Sequence, residues 1–282
     1  MDEIEVDTRL GYKLAATLYK TSSRNQLLII ASATGVKQQF YRKFAEYISA
    51  NGITVITFDY SGIGQSLKQP IQTVKAAAAD WGRNDLEAVL QYAKENYPAA
   101  TLCVLGHSIG VQLIGLAKSS ASAHKMVLVA AQSGFWKWWK GTNRIKMWLN
   151  WYLLFPGLTS LFGYMPTKKI SGMENLPKHV AQQWSRWCRK ANYLFDDIPA
   201  DQLHFDKIAA RIVAISIEND FYAPSESVDW LIEKYSNAAV RKVHLDPNDF
   251  QVSSIGHFGI FREQFAASIW KKLLSELQDT NE

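Results

Sequence analysis

The chain has 282 residues, 48% apolar and 20% charged, with a formal net charge of +5 at pH 7. That composition excludes a disordered chain and suffices for one substantial core, or one core plus an insertion. The acidic start Met1-Asp2-Glu3-Ile4-Glu5 lacks a basic n-region followed by an apolar h-region, and Cys103 and Cys188 are too far apart to suggest a disulfide framework or a zinc cluster, so a reducing cytoplasm is the expected compartment.

Residues 4–6 and 13–19 read as an opening hairpin around Gly11, and 26–31 (QLLIIA) is the continuous apolar run of a buried strand. A helical period over 40–48 stops at Asn51-Gly52, and 54–59 (TVITFD) is the next strand. A helix at about 80–96, a strand at 101–105, a helix at 109–119 and a strand at 125–131 continue the pattern. The alternation then breaks and resumes with a strand at 211–217, a helix at 225–235, a strand at 240–245 and a closing helix at 261–277. Such alternation builds a parallel sheet with crossover helices. The interruption is an insertion, which divides the chain into a core of residues 1–132 and 206–282 and a helical, Trp-rich, basic cap at 133–205.

Between residues 135 and 200 ten Lys and Arg stand against three acids, leaving the rest of the chain mildly acidic. A basic segment of this kind either faces something anionic, such as a lipid headgroup layer or an acidic substrate, or is solvated surface. Residues 147–167 (MWLNWYLLFPGLTSLFGYMPT) carry no charge and are flanked by Lys146 and Lys168-Lys169, long enough to raise a membrane span. Pro156-Gly157 at the centre argues against a lone span, because nothing there would satisfy the freed backbone groups. Two short apolar helices joined at Pro156-Gly157, packed over the sheet or lying on a membrane surface, are expected instead. Seven of the ten tryptophans fall between residues 134 and 190, including Trp136, Trp148, Trp151 and Trp184. They either pack a thin cap core, line an acyl pocket or form an interfacial belt.

Gly106-His107-Ser108-Ile109-Gly110 fits the Gly-x-Ser-x-Gly pattern, which arises by accident in roughly one chain in ten of this length and proves nothing alone. Its setting counts for more. Ser108 follows a strand and opens a helix, the context of a nucleophile elbow, and the flanking glycines leave room at a sharp turn. Ligands of such sheets bind at the carboxyl ends of the strands. Asp220 follows the 211–217 strand, and His257 follows the last strand after a loop. The order Ser108, Asp220, His257 is the one used by α/β-hydrolases. In that chemistry His257 takes the Ser108 proton and returns it to the leaving group, while Asp220 fixes the imidazole tautomer. Glu218 competes for the acid role, but Asp220 stands four residues before Pro224.

Together with that motif, Ala33-Thr34-Gly35-Val36, Phe40-Tyr41-Arg42, Phe58-Asp59-Tyr60-Ser61-Gly62-Ile63-Gly64-Gln65-Ser66, Leu161-Phe162-Gly163-Tyr164, Trp187-Cys188-Arg189 and Ile255-Gly256-His257-Phe258-Gly259-Ile260-Phe261-Arg262 resemble the bacterial α/β-hydrolases related to serine aminopeptidases and monoacylglycerol lipases. The resemblance spans nearly the whole chain. It implies an α/β-hydrolase fold with a mostly parallel eight-stranded sheet, flanking helices and a helical cap after the sixth strand, and hydrolysis of an ester or similar acyl bond. Carried over by position, the backbone N–H groups of Ile109 and Thr34 form the oxyanion hole. Many such hydrolases have His-Gly in that loop, where this chain has Ser32-Ala33. The Asp59–Ser66 stretch, although it holds Gly62-Ile63-Gly64, lacks a third glycine at a helix start and is expected to border the active site instead of binding a dinucleotide.

The chemistry expected is that of a serine esterase without cofactor or metal, acting on a small acyl substrate. Acyl transfer and aminopeptidase-like amide hydrolysis are the rival reactions, and a non-catalytic binding protein on the same fold is the rival of another class. His107 is expected to pack near the sheet, and His124, His179, His204 and His244 have no ligand spacing. No recognised nucleic-acid module accompanies the basic and aromatic residues, and a peripheral contact of the cap with anionic membrane is the partner they suggest beyond the substrate.

Overall fold

The computed structural model describes residues 1–22 and 25–278. Eight strands form one sheet: β1 (Asp2–Asp7), β2 (Lys13–Tyr19), β3 (Gln26–Ala31), β4 (Thr54–Phe58), β5 (Thr101–His107), β6 (Lys125–Val129), and, after the small ribbon of β7 (Tyr164–Met165) and β8 (Leu176–Pro177), β9 (Arg211–Ile217) and β10 (Ala239–Leu245). Their spatial order is β1-β2-β4-β3-β5-β6-β9-β10. β2 runs antiparallel to β1 and β4, and all other neighbours are parallel.

Burial explains that order. Every residue of β4 and β6 is buried, as is β3 after its first residue, because helices cover both faces of the central strands. The edge strand β10 exposes Arg241, Lys242 and His244, charges that discourage pairing with another chain. Ala31 pairs with Gly106, Gly106 with Leu128, and Leu128 with Ala214. This register brings the carboxyl ends of β3, β5, β6 and β9 to one edge of the sheet, from which the loops carrying Thr34, Ser108, Gln132 and Asp220 emerge.

The helices differ from the sequence expectation in detail. The helix after Ser108 runs only over Ile109–Ile114, and Gly115 caps it with the Phe205 ring filling the space where a Cβ would stand. In the segment between β6 and β9, Gly141–Leu149, a wide π-helical turn at Asn150–Leu154 and Phe155–Phe162 form one continuous helical run, so Pro156-Gly157 is not the joint between two helices. Proline removes an N–H and crowds the carbonyl four residues earlier, and the widened turn just before Pro156 absorbs that mismatch within the helix. Trp151 and Phe155 face inward, with Trp184 of the Lys178–Cys188 helix at 4.9 and 5.6 Å between ring centroids. Among the described residues no helix is long and apolar enough to cross a membrane.

Candidate active site

Ser108 stands between β5 and the Ile109–Ile114 helix with φ 55° and ψ −117°, a conformation that L-residues rarely adopt. Such strain costs on the order of 1–3 kcal/mol and persists only where the surroundings enforce it. They do so here through close packing. A Cβ on Gly110 would lie 2.1 Å from the Ala31 carbonyl oxygen, and one on Gly106 would lie 3.0 Å from backbone atoms of Val111. The helix therefore lies almost against β3, and the Ser108 N–H donates to the Val129 carbonyl at 2.9 Å.

His257 opens the short Gly256–Gly259 helix, and its Nδ1 lies 2.8 Å from Asp220 Oδ2, both residues being buried. Because a carboxylate only accepts, Nδ1 is the donor of this bond, and in the neutral ring that arrangement leaves the lone pair on Nε2. Asp220 Oδ1 accepts the N–H groups of Tyr222 (2.9 Å) and Ala223 (3.3 Å), so both carboxylate oxygens have partners. Glu218 is elsewhere: its exposed carboxylate meets His244 Nε2 at 2.9 Å.

Ser108 and His257 line one cavity of about 550 Å³ with Ala33, Thr34 and Gln132. Ala33 and Thr34 differ in what their N–H groups do. The Ala33 N–H donates to the Tyr41 hydroxyl at 2.9 Å, whereas among the described residues neither the Thr34 nor the Ile109 N–H has a hydrogen-bond partner. The Ile109 N–H is free because it is the first of its helix.

Of the four tryptophans singled out, Trp151 and Trp184 line this cavity and Trp136 and Trp148 do not. Trp148 stacks on Tyr152 at the surface, and Trp136 meets Tyr152 edge-on. A helical run apolar on every face gives no sign of which aromatics point inward, so the sequence could not separate the two pairs. Phe155, Leu154, Met147, Met165 and Phe258 complete much of the wall. The turn expected to border the site does so from behind: the Tyr60 hydroxyl donates to the Ser32 carbonyl at 3.4 Å, beside the cavity-lining Ala33 and Thr34, while Ser61, Gly62 and Ser66 line a second cavity of about 790 Å³.

Two hydrogen-bonded chains support the site, and sequence reasoning missed both. His107, wholly buried, accepts at Nδ1 from the Tyr41 hydroxyl (2.8 Å) and donates from Nε2 to the His257 carbonyl (3.0 Å). Burial, and next the neighbouring His257, hold its pKa well below the ordinary histidine value. On the other side Trp184 Nε1 donates to the Tyr193 hydroxyl (3.0 Å), Tyr193 to Gln112 Oε1 (2.8 Å), and Gln112 Nε2 to the Gln132 carbonyl (2.6 Å) and Oε1 (3.0 Å). With its Oε1 so engaged, Gln132 presents Nε2 to Ser108 Oγ at 3.3 Å. Gln112, a lone amide inside an apolar helix, is the sequence signal that could have pointed to this chain.

A mostly parallel sheet whose fifth strand ends in a strained serine elbow, with an acid after β9 and a histidine after β10, defines an α/β-hydrolase fold. Residues 22–212 match the family of hydrolases described as serine aminopeptidase, S33, and the chain belongs to that family. No curated protein matches it in sequence. Similar solved structures include the esterase Pf2001 of Pyrococcus furiosus, with 17% identity over 98% of this chain and 90% of that one and a TM-score of 0.64. The esterase EaEST of Exiguobacterium antarcticum has 14% identity over 99% and 100% of the two chains, with a TM-score of 0.61. Rv0554 of Mycobacterium tuberculosis has 15% identity over the full length of both chains, with a TM-score of 0.64. At these identities the likeness is one of fold.

Proposed function

We propose that the chain is a serine hydrolase that cleaves a carboxylic ester or lipid-like acyl bond, with residues 133–205 acting as its lid. The observation that carries the reading is that the Ser108 elbow and His257, itself hydrogen-bonded to Asp220, line one largely apolar cavity. Ser108 Oγ attacks the acyl carbonyl carbon as its proton passes to Nε2 of His257, and the carbonyl oxygen becomes an oxyanion held by the N–H groups of Ile109 and Thr34. The tetrahedral adduct then expels the alcohol, which takes the proton from His257. Water, deprotonated by His257, hydrolyses the acyl-enzyme and frees the acid and Ser108.

The cavity lining favours an ester over an amino-terminal peptide bond. No Asp or Glu is among the described residues that line it, and its one lysine is Lys146, so a free α-ammonium would find a cation and no counter-ion. An apolar wall of Trp151, Phe155, Trp184, Leu154 and Met165 suits an acyl chain. The test is a panel of p-nitrophenyl esters of graded chain length and aminoacyl anilides, with covalent labelling by a fluorophosphonate. Ester turnover and labelling that both vanish in Ser108→Ala are expected. Labelling that survives in that variant, or preference for the anilides, would overturn the reading.

A further inference from the structure

The helical run 141–162 carries more apolar side chains than the interior of the protein takes up. Trp151, Phe155 and Thr159, spaced four apart, are buried, while Ile145, Trp148, Leu149, Tyr152, Leu153, Leu154, Leu161 and Phe162 are exposed. Leu161 is 74% exposed, Ile145 61% and Leu153 57%, values that a helix packed on a soluble surface normally avoids for so many neighbours at once. The patch surrounds the cavity mouth, since Leu149, Leu154, Ile170, Phe221 and Tyr222 are both exposed and part of the cavity lining.

Cations rim it. Lys168 and Lys169 precede Ile170, Arg144 and Lys146 flank Ile145, and the Arg189 guanidinium lies 5.5 Å over the Tyr152 ring. Lys137 lies 5.4 Å over Trp136, which meets Tyr152 in turn. Among the described residues Lys146 and Lys169 make no ion pair, and the nearby acids are engaged: Glu174 by Lys37 and Lys168, Glu226 by Lys140. Apolar side chains at the centre, stacked aromatics beside them and one sign of charge around them match the depth profile of a bilayer surface with anionic headgroups. The same distribution disfavours a second copy of the chain, because a two-fold contact sets each patch against itself and would bring lysines against lysines.

We propose that this face docks on an anionic lipid surface, with the cavity mouth opening toward the acyl chains of the membrane. Delivery of substrate in this way rests on the esterase reading above. Docking itself is read without turnover, so either can fail while the other stands.

The test is flotation of the full chain with vesicles of phosphatidylcholine alone and of equimolar phosphatidylcholine and phosphatidylglycerol, at low and high salt. Binding confined to the anionic vesicles and weakened by salt is expected. Each basic residue near such a surface contributes about 1 kcal/mol, about fivefold in affinity, so Lys168→Glu with Lys169→Glu should weaken binding by roughly 25-fold or more. Leu153→Ser with Leu161→Ser, at side chains that do not line the cavity, should weaken binding about tenfold or more while p-nitrophenyl ester turnover stays unchanged. No flotation with either vesicle, equal flotation with both, or binding indifferent to both variant pairs would overturn the proposal. So would self-association in sedimentation velocity that Leu153→Ser with Leu161→Ser abolishes, which would assign the patch to a second copy.

Discussion

The imidazole of His107 donates a hydrogen bond to the backbone carbonyl of His257 at 3.0 Å, so the residue before the elbow serine anchors the loop that carries the histidine lining the same cavity. The Tyr41 hydroxyl completes the tie by bonding both His107 Nδ1 and the Ala33 N–H. One buried ring thus joins the β3 loop, the elbow and the His257 loop. His107→Ala should lower kcat about 10- to 100-fold with a smaller change in KM, because misplacing the proposed base by about 1 Å costs that much while the acyl cavity is untouched. An unchanged kcat would reduce His107 to packing.

The same residue predicts the sign of a pH effect on stability. Its folded pKa is held well below the ordinary value by burial, so below about pH 6.5 the unfolded chain takes up a proton that the folded one refuses. The contribution is present in full above about pH 6.5 and is lost as pH falls, by about 1.4 kcal/mol per pH unit at most. Urea denaturation from neutral to mildly acidic pH should show wild type losing more stability than His107→Gln. Parallel curves for the two proteins would refute the assignment.

Asp220 and Glu218, two residues apart, differ in partner: one meets buried His257, the other exposed His244. Asp220→Asn should reduce kcat on the order of 10⁴, because the amide leaves the imidazole in the wrong tautomer. Glu218→Gln should stay within about twofold of wild type, since an exposed pair of this kind contributes little. Steady-state ester hydrolysis by both variants decides it, and the reverse outcome would move the acid to Glu218.

What was legible before the structure follows from what each residue must satisfy. The strand at 26–31 read as a continuous apolar run because helices cover both its faces, and Gly106 and Gly110 read as an elbow because nothing larger fits. Asp220 and His257 were placed by their positions after strands, a one-dimensional rule that the register of β5, β6 and β9 turns into proximity. Gln132 and Tyr41 carried no such mark. Their roles arise from orientations fixed by partners 20 and 66 residues away, Gln112 and His107. Trp136 and Trp148 failed as pocket residues for the related reason that composition locates an aromatic segment without saying which side of it faces in.

Gln132 allows a graded test. Its amide donates to Ser108 Oγ and so leaves the hydroxyl proton free to point at His257. Gln132→Leu removes that donor, yet the Gln112 amide keeps the residue-132 carbonyl as a partner at 2.6 Å, so the fold should hold and kcat should fall about 10-fold. Gln132→Glu should cost more, about 100-fold, because a carboxylate there accepts the hydroxyl proton and turns it away from His257. Paired kcat values for the two variants check the order, and a Glu variant as active as the Leu variant would remove Gln132 from the mechanism.

Two glycines should respond to the same substitution with opposite signs. At Gly110 the new methyl would stand 2.1 Å from the carbonyl oxygen of Ala31, the last residue of a buried central strand, and 3.1 Å from that of the buried Ser32 just after it. Gly110→Ala should therefore force the elbow helix away from β3, costing several kcal/mol by the overpacking and strain that such a contact implies, with loss of ester turnover even in protein that folds. Gly157 sits within the Phe155–Phe162 helix, where a methyl group would meet nothing within 4 Å and the backbone has no positive φ. Gly157→Ala should stabilise that helix by about 0.5–1 kcal/mol, since alanine loses less backbone entropy on becoming helical, and should leave turnover unchanged. Thermal denaturation and ester assays on the two variants check both signs. A Gly110→Ala protein with wild-type activity would mean that the elbow does not need the close approach on which Ser108 depends.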